Sequence, residues 1–226
     1  MASNIETTEI SNNDEIDDNC LAIDDNIINT LNDNNFRKLI KLWQNIRHKP
    51  KCIIFDLDYT LWPFILDSNV LPPFTFDSQT NKIIDHNKKH IQLYQDVYQI
   101  IIQLKQITKK DEIYLTIASR SSMKNYAVQL LEMFNILKYF DSIQIYSGTK
   151  LKHVKNIRQE LIENKQQKNV AANLIDFNQM IFYDDNKSNL QCVAKLGIVG
   201  HQVKRHYGLN YQELFDGILK YQKDNI

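Results

Sequence analysis

The sequence predicts an α/β domain built around a central parallel sheet, and three observations carry that prediction. Five short apolar segments rich in β-branched and aromatic residues recur along the chain: Cys52–Phe55, Glu112–Ala118, Ser142–Tyr146, Met180–Tyr183 and Ile198–Val203. Stripes of apolar residues at helical spacing lie between them, the alternation expected of βαβ units. Polar residues gather just beyond the segments, where open α/β sheets bind their ligands.

The elements follow in chain order. Phe36, Leu39, Ile40, Trp43 and Ile46 recur at helical spacing before Pro50, which predicts an amphipathic helix over 36–47 packed outside the main domain. The first strand then runs straight into Asp56. From Trp62 to His90 the chain is rich in Pro, Asp and Asn, and Pro72 and Pro73 exclude a helix there. Phe74–Asp77, a polar tip Ser78–Asn81 and Lys82–Asp85 predict a hairpin, a small flap over about 62–90 in place of a cap domain. Leu93, Val97, Ile100, Ile101 and Leu104 form the next helical stripe, followed by Met123 to Phe134, Leu151 to Leu161 and Tyr211 to Leu219. Glu163 to Phe177 reads as a helix end and a surface loop.

Composition bounds the rest. With 226 residues, 43% of them apolar, the chain can bury one sizeable core. No apolar run is long enough for a membrane span, and the opening Met-Ala-Ser-Asn lacks the basic and apolar regions of a secretory signal. Cys20, Cys52 and Cys192 are three, widely spaced and without a Cys-x-x-Cys pair, so neither a disulfide framework nor a zinc site is expected. A cytoplasmic compartment is the expectation. The net charge of zero hides an asymmetry: residues 1–35 carry nine Asp or Glu and no Lys or Arg, leaving +9 on the remainder. This acidic, Asn-rich stretch is expected to be a disordered tail, with 36–226 forming the folded domain. The short basic run Lys204-Arg205-His206 is a rim rather than a nucleic-acid face, which needs a wider basic and aromatic surface.

The chemistry lies at the strand ends. Period-two alternation puts Asp56 and Asp58 on one side, with Leu57 turned to the core. Two carboxylates so close repel each other unless a cation neutralises them, and Mg²⁺ is the natural one, being hard and oxygen-seeking. The second strand ends in Ser119-Arg120, a hydroxyl and a guanidinium beside a helix N-terminus, fit to seat a phosphate. The third ends in a turn that delivers Lys150. The fourth ends in Asp184-Asp185, a second carboxylate pair. Asp184 has two readings, functional or helix cap; Arg120 likewise stands between substrate contact and surface ion pair, and Trp62 between core plug and site aromatic.

Asp-x-Asp-x-Thr, Ser, Lys and Asp-Asp in this order resemble the four motifs of the haloacid dehalogenase (HAD) superfamily. Phe55-Asp-Leu-Asp-Tyr-Thr-Leu-Trp-Pro63, with Ala118-Ser-Arg120, Tyr146-x-Gly-x-Lys150 and Met180-Ile-Phe-Tyr-Asp-Asp185, is similar to the magnesium-dependent phosphatase-1 family. The likeness runs from about Lys51 to the C-terminus; Ser147 departs from it, standing where that family usually has proline. The resemblance implies a three-layer Rossmann-like (HAD-like) domain and an aspartyl-phosphate mechanism. In it Asp56 is the nucleophile and Asp58 the general acid and base. Asp56, the Asp58 carbonyl and Asp185 hold Mg²⁺. Ser119, Arg120 and Lys150 hold the phosphoryl group, Asp184 steers Lys150 or a water, and Thr60 hydrogen-bonds within the loop to orient Asp58. Phosphotyrosine-type side chains and phosphorylated fructosamine adducts are the substrates it suggests. The rivals are a phosphotransferase or mutase on the same scaffold and a retired phosphopeptide-binding module.

Overall fold

The computed structural model describes residues 34–167 and 175–225. The acidic tail expected over 1–35 lies outside the described residues, apart from Asn34 and Asn35, which open the first helix, α1 (Asn34–Asn45). That helix buries Phe36, Leu39 and Trp43. It packs on the helices here named α3 (Val97–Thr108) and α7 (Tyr211–Asp224). Trp43 donates its indole N–H to Asp111 at 3.0 Å, and Lys49 reaches the same carboxylate at 2.8 Å.

The five strands are β1 (Cys52–Phe55), β5 (Tyr114–Ser119), β6 (Ser142–Ile145), β7 (Met180–Asp184) and β8 (Val199–Gln202). They are all parallel, in the order β6-β5-β1-β7-β8. Strand β1 is central, and all four of its residues are buried. Its side chains show how the layers form: Ile53 and Phe55 enter one apolar cluster, Cys52 and Ile54 the other. Period-two geometry sends alternate residues to opposite faces. A strand covered on both faces therefore reads as a continuous apolar run. On the first face lie α1, α3, α4 (Lys124–Met133) and α7; on the second lie α5 (Lys150–Gln167) and α6 (Lys187–Ala194).

Several boundaries differ from the sequence expectation, most by one or two residues. Strand β5 starts at Tyr114 because Glu112, at φ 52°, closes a 3₁₀ turn over Lys109–Asp111 in the left-handed region. Leu93 precedes α3 rather than joining it.

The flap is present as a short helix, α2 (Leu66–Asn69), and the hairpin β2 (Thr75–Asp77) and β3 (Lys82–Ile84). It gains a third strand, β4 (His90–Ile91), which pairs with β3 and is too short to show a period in sequence. Phe74 meets Tyr126 of α4 edge to face, and Gln129 donates to the Phe74 carbonyl, so the flap is seated on the helix that follows β5. Among the described residues no helix is long and apolar enough to cross a membrane.

Candidate active site

The site is assembled at the carboxyl ends of β1, β5, β6 and β7, as the topology requires. After β1, the amides of Thr60, Leu61 and Trp62 all point at the Leu57 carbonyl, at 3.1, 2.8 and 3.3 Å. This tight turn drives Leu57 into the core and leaves Asp56 and Asp58 facing one cleft. Asp58 is held by two donors on its Oδ1: the Trp62 indole at 2.8 Å and the Leu66 amide at 3.2 Å. Trp62 is itself fully buried and stacked on Phe64 at 5.4 Å. Its two sequence readings are thus both realised, since one residue plugs the core and touches the site. Thr60 corrects an expectation. Its hydroxyl is buried and has no hydrogen-bond partner among the described residues, and the donors on Asp58 are Trp62 and Leu66 instead.

At the end of β5, Ser119 is buried and its Oγ accepts the Ser121 amide at 3.3 Å. Arg120 lines the cleft, is exposed, and makes no ion pair among the described residues, so the surface-pair reading finds no partner. The next turn is tied to the flap. Asp67 of α2 accepts from both hydroxyls of Ser121 and Ser122 and from the Ser122 amide at 2.9 Å. Nothing local in the sequence signals this contact, which joins residues more than fifty positions apart.

Lys150 opens α5 and is almost wholly buried. Its ammonium lies 2.7 Å from Asp56 Oδ1 and 3.2 Å from Asp184 Oδ2, and donates its third hydrogen to the Ala118 carbonyl. The turn that delivers it is braced by His153, whose ring stacks on Tyr146 at 4.1 Å and sits 2.7 and 2.9 Å from the Thr149 and Tyr146 carbonyls. At the end of β7, Asp184 accepts the Asn186 amide at 2.7 Å and both of its oxygens meet Asn189 Nδ2 at 3.0 Å. The N-cap of α6 is Asn186, not Asp184. The cap reading of Asp184 therefore gives way to a buried partner of Lys150.

Carboxylate oxygens of Asp56, Asp184 and Asp185 lie within 4.8 Å of one another. Burial pushes the carboxyls of all three upward, Asp184 to about 6, with the neighbouring Asp56 charge adding to it and Lys150 opposing. Asp58 is likewise pushed by burial to about 6, against the bonds from Trp62 and Leu66. Three buried carboxylates, all hard oxygen donors, in contact with only two protein cations, fit Mg²⁺ well and a soft metal poorly. Asp184 was expected only in a supporting role, yet it stands inside this cluster, whereas the Asp58 side chain turns to Trp62 and stands outside it.

Sequence reasoning placed Arg205 only on a basic rim. The structure carries it into the site from the loop after β8. Its Nε lies 2.5 Å from Asp185 Oδ2 and its guanidinium stacks 5.0 Å over the Tyr59 ring. The loop is pinned on both sides, because Tyr94 Oη donates to the Arg205 carbonyl and the Leu209 amide donates to the Thr60 carbonyl at 2.9 Å. Gly208, at φ +61°, packs directly on the Tyr94 ring, where a Cβ would come within 1.9 Å of it. Together these walls enclose an open cleft of about 400 Å³.

Residues 48–224, which include every one of these side chains, match the model of the acid phosphatase family. The chain belongs to that family. Over 174 residues the chain is 34% identical to human "Magnesium-dependent phosphatase 1", covering 77% of the chain and 88% of the relative. A HAD-like hydrolase superfamily protein of Schizosaccharomyces pombe is 30% identical over 159 residues, 66% of this chain and 83% of that one. Among solved structures, the Mg-complexed phosphatase domain of a Bacteroides fragilis protein aligns with 80% of the chain and 44% of its own, at 16% identity and a TM-score of 0.47. The resemblance drawn from the four motifs is borne out by the acid phosphatase match and the human relative.

Proposed function

We propose that this acid phosphatase is a magnesium-dependent phosphomonoesterase with an open site, acting through an aspartyl-phosphate on Asp56. The observation that carries the reading is the Lys150 ammonium placed between Asp56 and Asp184, with Asp185 beside them, at the floor of the cleft. Lys150 opposes the upward push of burial on Asp56 and so favours its anion, and an anion is what a nucleophile must be.

Asp56 attacks phosphorus as the ester oxygen leaves, and Asp58, poised by Trp62 and Leu66, gives that oxygen a proton. Asp58 then takes a proton from the water that attacks the aspartyl-phosphate, releasing phosphate and restoring Asp56. Ser119 and Arg120, which line the cleft, hold the equatorial oxygens, over which the transferring charge is spread, and Lys150 adds its charge from beneath Asp56. Mg²⁺ would be held by Asp56 and Asp185, with Asp184 and the Asp58 carbonyl beside them, and supplies charge neutralisation for the phosphoryl oxygens.

The flap leaves the cleft open, which suits a phosphorylated group presented on a larger body. Phosphotyrosine-type side chains and phosphorylated fructosamine adducts are the substrate classes proposed. Openness also disfavours a mutase, whose aspartyl-phosphate needs shelter from water. The purified protein is expected to hydrolyse an aryl phosphate with Mg²⁺, to stop with EDTA, and to lose turnover in Asp56→Asn. Undiminished turnover in Asp56→Asn removes the nucleophile assignment; tight phosphopeptide binding without phosphate release turns the reading to a binding module.

A further inference from the structure

Asp56, Asp58 and Asp185 line the cleft with Asp184 buried behind them, and among the described residues two protein cations touch this group. Lys150 is fully committed: its three hydrogens face Asp56, Asp184 and the Ala118 carbonyl. Among the described residues the cation in direct contact with Asp185 is therefore Arg205, through a single Nε contact on Oδ2. A carboxylate as buried as this one is costly without a cation. Its partner is the opposite kind of group, a long side chain 60% exposed, already held over the Tyr59 ring by its guanidinium and by Tyr94 at its own backbone. The guanidinium can leave Asp185 without any movement of the loop.

We infer that Arg205 is the resident counter-ion of the metal site: it neutralises Asp185 when no divalent ion is there and competes with Mg²⁺ for that carboxylate. Two cations on one carboxylate repel, so arrival of the ion loosens the Nε contact with Asp185 while the guanidinium keeps its place over the Tyr59 ring. By linkage, whatever holds Arg205 away from Asp185 favours the ion, and the reverse. The inference rests on Asp185 being a metal ligand. The same contact has an opposite possible use, with Arg205 aligning Asp185 by Oδ2 while Oδ1 takes the metal. The two uses differ in sign, because a competitor weakens Mg²⁺ binding and an aligner strengthens it.

The test is calorimetric titration of Mg²⁺ into metal-free full-length protein, with no substrate present. Arg205→Gln is expected to bind Mg²⁺ about tenfold more tightly than the parent, the scale of one lost charge-assisted contact. Its metal-free form is expected to melt about 3 °C lower, with the loss recovered in excess Mg²⁺. Lys204→Gln removes a neighbouring charge from a side chain 76% exposed and without contact to Asp185, so it reports the general field; it is expected to leave the affinity within twofold. Unchanged or weaker binding in Arg205→Gln overturns the inference, as does equal tightening in Lys204→Gln. If Arg205→Gln does not fold without metal, Arg205→Lys serves, with two- to fourfold tightening expected and none overturning the inference. A parent protein that binds no Mg²⁺ removes the metal-site reading itself, and the role of Arg205 with it.

Discussion

The indole of Trp62 donates to Asp58 Oδ1 at 2.8 Å, across a turn of four residues, so the largest fully buried side chain also aims the carboxylate proposed as acid and base. Trp62→Phe keeps most of the apolar volume and removes the donor. Steady-state kinetics on an aryl phosphate are expected to show kcat about tenfold lower with KM little changed, the pattern of a group whose alignment matters at the transition state. A raised KM with kcat unchanged would assign Trp62 to substrate binding instead.

Lys150→Met leaves Asp56 and Asp184 facing each other, buried and without their shared cation. Breaking a buried pair in this way costs about 3 kcal/mol at neutral pH. Urea unfolding in EDTA is expected to register that loss, with added Mg²⁺ returning part of it while turnover stays absent.

Gly208→Ala puts a Cβ into the Tyr94 ring at a backbone position, φ +61°, that alanine resists. Tyr94 must move, and its hydroxyl then releases the Arg205 carbonyl. A destabilisation of about 2–3 kcal/mol is expected by denaturant titration, accompanied by altered Mg²⁺ affinity because the Arg205 loop loses its anchor.

The first helix is pinned through Asp111, whose carboxyl Lys49 holds below its ordinary value, with Trp43 adding to the effect. A depressed carboxylate contributes stability above its unfolded value of about 4 and loses it as pH falls through the folded value. Asp111→Asn is therefore expected to be less stable than the parent at neutral pH, by no more than about 1 kcal/mol for so open a pair. The two melting curves should converge in acid, and a gap that persists there would exclude the ion pair as its source.

The parts legible in the sequence are those written by local physics. Strands β1 and β7 are apolar on both faces because helices cover both, and such runs are visible without any partner. Asp56, Asp58, Ser119, Lys150 and Asp184-Asp185 were legible because each directly follows a strand or opens a helix. Contacts between distant segments were not. Asp67 reaches Ser121 and Ser122, Arg205 reaches Asp185, and Gly208 receives Tyr94, and no periodicity encodes such meetings. The role of Asp184 needed the fold as well, since only the position of Asn186 and Asn189 shows which residue caps the helix and which faces Lys150.

The chain has two tryptophans, Trp43 on the buried face of the first helix and Trp62 bonded to Asp58. In a Trp43→Phe background a single indole would be left, wired to the carboxylate proposed as acid and base. Its emission then becomes an optical probe of that carboxylate, readable in stopped flow without any label attached near the cleft.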